Sequence, residues 1–371
     1  MSYRKMNLFL APLVLGLLLS AFAQAQTWTQ DGPAARSHTG GMYDSATDQL
    51  VVFGGLTSTV PVNDVWSVPG IVAAGQTITT TPYHWVQIFP TGTAPVARFG
   101  HGANYDSVSN RMIVFAGATS NTSCLNDVWL LDDANSANGV PAWIPLSPSG
   151  TLPSARMNHD AAYDPSSNSL IIFGGTNCAS GYLSDVWVLS NANGEVGTPT
   201  WTQLTPSGMA PSARENSSAI YDSVNNVLTI FGGDAGSSGL SDVWTLSHAN
   251  GQGGTPTWTH LTPTGTAPSA RTGQSAVYDV TDNRMIMYGG INSLTSVTYL
   301  GDTWILTFPN GIGGTPSWIS EKVTGTAPTM RFHIAFYDYT DNNMVIFGGL
   351  SQIVPSAQND RVFILTTANG L

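Results

Sequence analysis

An aromatic residue followed by a pair of small residues recurs six times along the chain: Phe53-Gly54-Gly55, Phe115-Ala116-Gly117, Phe173-Gly174-Gly175, Phe231-Gly232-Gly233, Tyr288-Gly289-Gly290 and Phe347-Gly348-Gly349. Successive aromatic positions stand 62, 58, 58, 57 and 59 residues apart. A period this regular means one structural unit repeated, and it constrains the architecture more than any local propensity does. Each unit carries four short apolar runs. In the third unit a small-residue run ends at Tyr163-Asp164 and Leu170-Ile171-Ile172-Phe173 leads into the glycine pair. Ser184-Asp185-Val186-Trp187 and Trp201-Thr202-Gln203-Leu204 follow. Runs of this length, rich in β-branched and aromatic residues and separated by turn residues, predict strands, and no sustained helical period competes with them. Four antiparallel strands repeated about a centre describe a propeller blade.

The residue choices agree with that geometry. First strands rich in Gly, Ala and Ser, such as His101-Gly102-Ala103 and Ser217-Ser218-Ala219, suit the crowded wall of a narrow channel. Second strands are continuously apolar, as expected when both faces are covered. All 11 tryptophans fall at two repeat positions, on the third strand (Trp66, Trp129, Trp187, Trp244, Trp304) or the fourth (Trp28, Trp85, Trp143, Trp201, Trp258, Trp318). Rings this large fill the wedges between twisted sheets, so they are predicted to be core rather than a sugar-stacking platform.

The order Arg, His, Tyr-Asp, apolar run, Gly-Gly, Asn-Asp-Val-Trp and Trp-Thr-Gln-Leu resembles the kelch repeat, and the resemblance runs from Trp28 to Leu365. It implies an all-β, six-bladed β-propeller with four antiparallel strands per blade. The last unit departs from the pattern, because Arg331 stands six residues before Tyr337 rather than seven and Asn359-Asp360-Arg361-Val362-Phe363 lacks the tryptophan. A lone fourth-strand motif, Thr27-Trp28-Thr29-Gln30, precedes the first unit and a third strand, Val362 to Leu365, ends the last. The N-terminal strand is therefore expected to close the ring as the outer strand of blade six, removing an open sheet edge.

Residues 1–25 read as a secretory signal peptide: Arg4 and Lys5, an apolar stretch from Leu8 to Phe22, then Ala23-Gln24-Ala25. Residues 26–371 are then one propeller, secreted or periplasmic. Without Arg4 and Lys5, ten basic residues face 23 acidic ones, a net charge of −13. Nucleic acid and anionic membranes are poor partners for such a surface.

Strand order puts the second-to-third loops and the blade connections on one face, the predicted binding face. Six arginines occur there at one repeat position: Arg36, Arg98, Arg156, Arg214, Arg271 and Arg331. They are candidates for a ring that binds anionic ligands, yet Asp64, Asp127, Asp185, Asp242, Asp302 and Asp360 begin the third strands at the same end, within reach for structural pairing. The resemblance keeps the ligand reading open, since some kelch adaptors use arginines near this position to hold acidic peptides. His101, His159 and His333 share a second position, either in ligand contact or in hydrogen bonding between blades. Glu215, beside Arg214, is the only charged residue directly after a repeated arginine, and the pair is the candidate catalytic group.

Cys124 and Cys178, the only cysteines, lie on corresponding loops of adjacent blades in a chain expected to be exported, so a disulfide is predicted. Two cysteines without accessory domains fit a galactose-oxidase-like copper site poorly, and no cluster has metal-ligand spacing. Neither a metal nor a cofactor is expected. Two functions follow: a secreted propeller that binds a protein or glycan, with no catalytic motif required, or an exported enzyme acting on a small acidic sugar and similar to the bacterial sialic acid mutarotases.

Overall fold

The computed structural model of the protein describes residues 32–71, 84–179, 181–236, 239–292, 297–325, 327–351, 357–358 and 360–371. The expected signal peptide and the closing strand at Trp28 lie outside these residues. The described chain is all-β, and no helix in it is long and apolar enough to cross a membrane.

Six antiparallel sheets are arranged as blades. Their first strands, Gly40–Asp44, Gly102–Asp106, Asp160–Asp164, Ser218–Asp222, Ser275–Asp279 and Ile334–Asp338, contact one another around the centre. In blade three, Asp160–Asp164, Ser169–Phe173, Val186–Ser190 and Thr200–Leu204 pair in sequence order, and the other blades repeat the plan. Blade six has three described strands, the last being Val362–Leu365.

Six apolar clusters fill the six interfaces between blades, and one of them joins blade one (Leu50, Val52, Trp66) to blade six (Val345, Phe347, Val362). At five of the six seams a second-strand aromatic meets a fourth-strand tryptophan among the described residues, as Phe115 meets Trp201 with ring centroids 4.9 Å apart and Phe347 meets Trp85 at 5.1 Å. Burying one such ring is worth about 1.5–3 kcal/mol, so the seams carry much of the stability.

The main chain also closes the ring. The amide of His38 donates to the Phe332 carbonyl at 3.1 Å, Gly100 to His38 at 2.9 Å, Asn158 to Gly100 at 2.8 Å and Asn216 to Asn158 at 3.0 Å. Gly273 donates to Asn216 at 3.0 Å and Phe332 to Gly273 at 2.8 Å, completing a circle of six bonds, one per blade. All six residues have positive φ, between 52° and 70°. Gly tolerates that region and Asn and His enter it more readily than most residues; Phe332 does not favour it and is held there by the circle.

The glycine pairs have a second duty. The amide of Gly175 donates to the Arg214 carbonyl of the next blade at 2.9 Å, and a Cβ there would stand 2.6 Å from the Met157 carbonyl oxygen. Glycine recurs at this step because neighbouring backbones touch. On the opposite face, asparagines such as Asn193 and Asn250 reach back to Asp106 and Asp164 of the preceding blade, each at 2.8 Å.

Candidate functional site

The arginine layer comes first because it frames the mouth. Arg36, Arg98, Arg156, Arg214 and Arg271 are fully buried at 0% exposure. Each grips the third-strand aspartate of its own blade with two parallel hydrogen bonds; Arg214 holds Asp242 at 2.7 and 2.8 Å. It also donates to the Gly232 carbonyl at 2.9 Å. The same aspartate accepts the indole N–H of Trp244 at 2.7 Å, so the Asp-Val-Trp motif makes one clasp of three side chains. Burial alone would raise the Asp242 carboxyl, but hydrogen bonds from Arg214 and Trp244 outweigh it and hold the group below the usual carboxylate range. Asp64, Asp127, Asp185 and Asp302 are held down in the same way by Arg36, Arg98, Arg156 and Arg271. The spacing from arginine to aspartate made this pairing legible in the sequence.

Arg331 does not occupy that position. Met330, fully buried, stands there instead: its carbonyl accepts the Gly290 amide at 2.8 Å, the bond that Arg98 accepts from Gly55 in the first seam. The shortened spacing before Tyr337 moves Arg331 one place along, level with Ser37, Phe99, Met157, Glu215 and Thr272 on the rim. Counting back from the tyrosine rather than aligning the arginines reveals this shift. The Arg331 guanidinium lies 4.6 Å from the Phe332 ring centre and 5.5 Å from that of Tyr299, a cation–π arrangement, and has no carboxylate partner among the described residues.

Glu215 sits at the same rim position on blade four. It is half-buried, paired through its backbone with Asp234, and accepts a hydrogen bond from Asn158 Nδ2 at 2.9 Å. Burial raises its carboxyl, the Asn158 bond partly offsets this, and the charge of Asp234 adds to the rise. The side chain of Arg214, its neighbour in sequence, points into the clasp with Asp242, so the two are not brought together as a catalytic pair.

Inside the rim, residues from all six blades line a cavity of about 250 Å³. Thr39, His101, His159, Ser217, Gln274 and His333 form one level of it. His101 packs edge-on against Phe53 of the preceding blade at 5.2 Å, His159 against Phe115 at 5.2 Å and His333 against Tyr288 at 5.6 Å. Burial lowers all three imidazoles to about 3, so they are neutral at physiological pH. Gln274 performs the inter-blade bond expected of this position, donating to the Phe231 carbonyl at 3.0 Å. The nitrogens of His159 are buried without a partner, whereas backbone hydrogen bonds to Phe53 and Tyr288 slightly offset burial at His101 and His333, and His333 Nε2 meets Ser275 Oγ at 2.7 Å.

Asp160 is the functional candidate that the sequence did not single out. It lines the cavity from the first position of its strand, the position that Gly40, Gly102, Ser218, Ser275 and Ile334 hold in the other blades. Burial raises its carboxyl to about 6, against the lowering effects of a hydrogen bond from Ser217 and the charge of Arg214. Its departure from a small-residue position was the available signal.

Cys124 and Cys178 are joined by a disulfide that ties the mouth-side loops of blades two and three. Among the described residues, no group of three or more His, Cys, Asp or Glu side chains is placed to hold a metal ion.

The family model of the KLHDC2/KLHL20/DRC7 Kelch-repeats domain matches residues 76–247 and 252–370. The chain belongs to the kelch-repeat family. Among curated relatives, Adagio-like protein 1 of Oryza sativa subsp. japonica is 25% identical over 75% of this chain and 42% of its own. The Rab9 effector protein with kelch motifs of Danio rerio is 25% identical over 56% of this chain and 58% of its own. The chain thus spans about half the length of these relatives. The solved structure of YjhT superposes with a TM-score of 0.62 at 12% identity, covering 91% of this chain and 96% of that one, and shares the kelch propeller's fold.

Proposed function

We propose that this kelch propeller is an exported recognition protein that binds a protein partner at the channel mouth. The observation that carries the reading is the division between frame and rim. Five repeated arginines are consumed in identical buried clasps, whereas the rim residues differ in every blade: Ser37, Phe99, Met157, Glu215, Thr272 and Arg331. A rigid repeat that presents dissimilar side chains around one opening suits recognition. The disulfide at this face and the leader-like residues 1–25 support an oxidising, extracytoplasmic setting. The relative named as a Rab9 effector is in keeping with protein binding on such a scaffold.

The test is site-specific photocrosslinking in the producing cells, with the crosslinker at Tyr299 beside the mouth or at Val224, which is 79% exposed on the opposite face. Adducts from Tyr299 alone are expected; adducts from Val224 alone would move the site to the other face. A second reading, an enzyme acting on a sugar, rests on the raised carboxyls of Asp160 and Glu215 beside neutral imidazoles. An acidic sugar would find Arg331 as the accessible partner, since the other five repeat arginines are paired. Turnover of a panel of sugars that survives Glu215→Gln unchanged removes Glu215 from that role.

A further inference from the structure

The polar atoms left over in the cavity are predominantly acceptors, and this follows from which donors are already committed. The Phe231 carbonyl can only accept, so Gln274 must turn its Nε2 toward it; the amide oxygen Oε1 is left buried and without a partner, on a residue only 5% exposed. An ionised Glu215 likewise fixes Asn158, whose Nδ2 faces it at 2.9 Å while Oδ1 is buried and unpartnered. The Ser217 hydroxyl donates to one oxygen of Asp160. Both residues carrying unpartnered amide oxygens line the same cavity as Asp160.

No charged donor in the described chain answers them. The imidazoles of His101, His159 and His333 are neutral, and each presents an acceptor nitrogen as well as a donor. Arg214, whose charge reaches Asp160, has committed its nitrogens to Asp242, Gly232 and Ser212. Arg331 belongs to blade six, across the channel from blade three, and lies against Phe332. A cavity of about 250 Å³ admits a group the size of one side chain rather than an oligosaccharide. A partly buried carboxylate without a cation of its own, in a cavity whose lining also carries two unpartnered amide oxygens, is complementary to a compact cation with several N–H donors.

We propose that the channel mouth receives a primary alkylammonium group, from a lysine side chain or a free polyamine, on Asp160, Asn158 and Gln274. The proposal rests on the mouth being the recognition site and names the chemistry that enters it. It also disfavours the acidic sugar, because the cavity presents a carboxylate to its ligand and the one unpaired rim arginine stands on the far side.

Calorimetric titration of the purified protein with pentylamine, pentanol, cadaverine and N-acetyl-lysine methylamide tests it. Pentylamine and pentanol share a shape, so only an ammonium requirement separates them. Saturable binding of pentylamine at least tenfold tighter than pentanol is expected, with at least a tenfold loss in Asp160→Asn. That variant keeps an oxygen for the Ser217 hydroxyl, and its fold is checked by circular dichroism. Equal affinity for the two probes, unchanged amine affinity in Asp160→Asn, or no saturable amine binding would each overturn the proposal. Tighter binding of the lysine derivative assigns the group to a protein partner, and tighter binding of cadaverine to a free polyamine. These probes are too small to bridge the rim, so their failure is distinct from a failure of crosslinking at Tyr299.

Discussion

Two levels of the same opening, the arginine clasps and the ring of side chains just beyond them in sequence, are built on opposite principles. In the clasps, blades one to five repeat one solution: a buried guanidinium, a bidentate aspartate and an indole N–H. On the rim and in the cavity, position after position changes from blade to blade, and several polar atoms, Asn158 Oδ1 and Gln274 Oε1 among them, are left without partners. The contrast separates what holds the ring together from what faces a ligand. It also shows how one missing residue transfers a side chain between levels: Met330 drops into the clasp position and Arg331 is delivered to the rim.

The largest effect expected from this contrast is in stability. Arg214→Ala leaves Asp242 without its partner and is expected to cost about 3–5 kcal/mol, nearer the lower figure because Asp242 is 26% exposed. Arg331→Ala, which breaks no ion pair among the described residues, is expected to cost less than about 1 kcal/mol. Urea denaturation of both variants checks the pair, and equal losses would abolish the distinction between clasp and rim.

Next in size is the brace between blades two and three. Cys178→Ser is expected to lower stability by about 2–4 kcal/mol, since the bridge spans a sequence separation of 54 residues. If the brace also fixes the mouth loops, partner crosslinking at Tyr299 should weaken under conditions where the variant is still folded. A variant that matches the parent in both assays would reduce the bridge to an ornament of the loops.

The smallest effect concerns the histidines. His101 is held at about 3 in the fold against 6.5 when unfolded, so between these values the unfolded chain binds a proton that the folded chain refuses. Stability therefore falls as pH drops from about 6.5 toward 3, by up to about 1.4 kcal/mol per pH unit for one such group. His101→Gln, which copies the residue blade five uses, should lose less stability between pH 7 and pH 5 than the parent. A parallel decline in both proteins would show that the imidazole is reached by water and titrates normally.

The repeat period, the strand order, the Arg–Asp pairing and the Cys124–Cys178 bridge were all legible in the sequence, because each follows from spacing within a repeated unit. The blade count was legible for the same reason, although the strand at Trp28 expected to complete blade six lies outside the described residues. The His38–Phe332 and Gly349–Arg36 backbone bonds join blades six and one by another route. The place of Arg331 was misread because identity of residue type was given more weight than distance from the tyrosine. Asp160 is not legible in the sequence, since nothing in the neighbouring residues Asn158 and His159 says which side chain faces the channel.

What the sequence by itself determined is the frame, because regular periodicity encodes contacts that every blade must make. What only the tertiary structure decided is the site. Whether an imidazole is neutral, which oxygen of an amide is left unpaired, and which carboxylate lacks a cation depend on six distant segments meeting at one axis. No local pattern records a meeting that involves residues as far apart as Thr39 and His333.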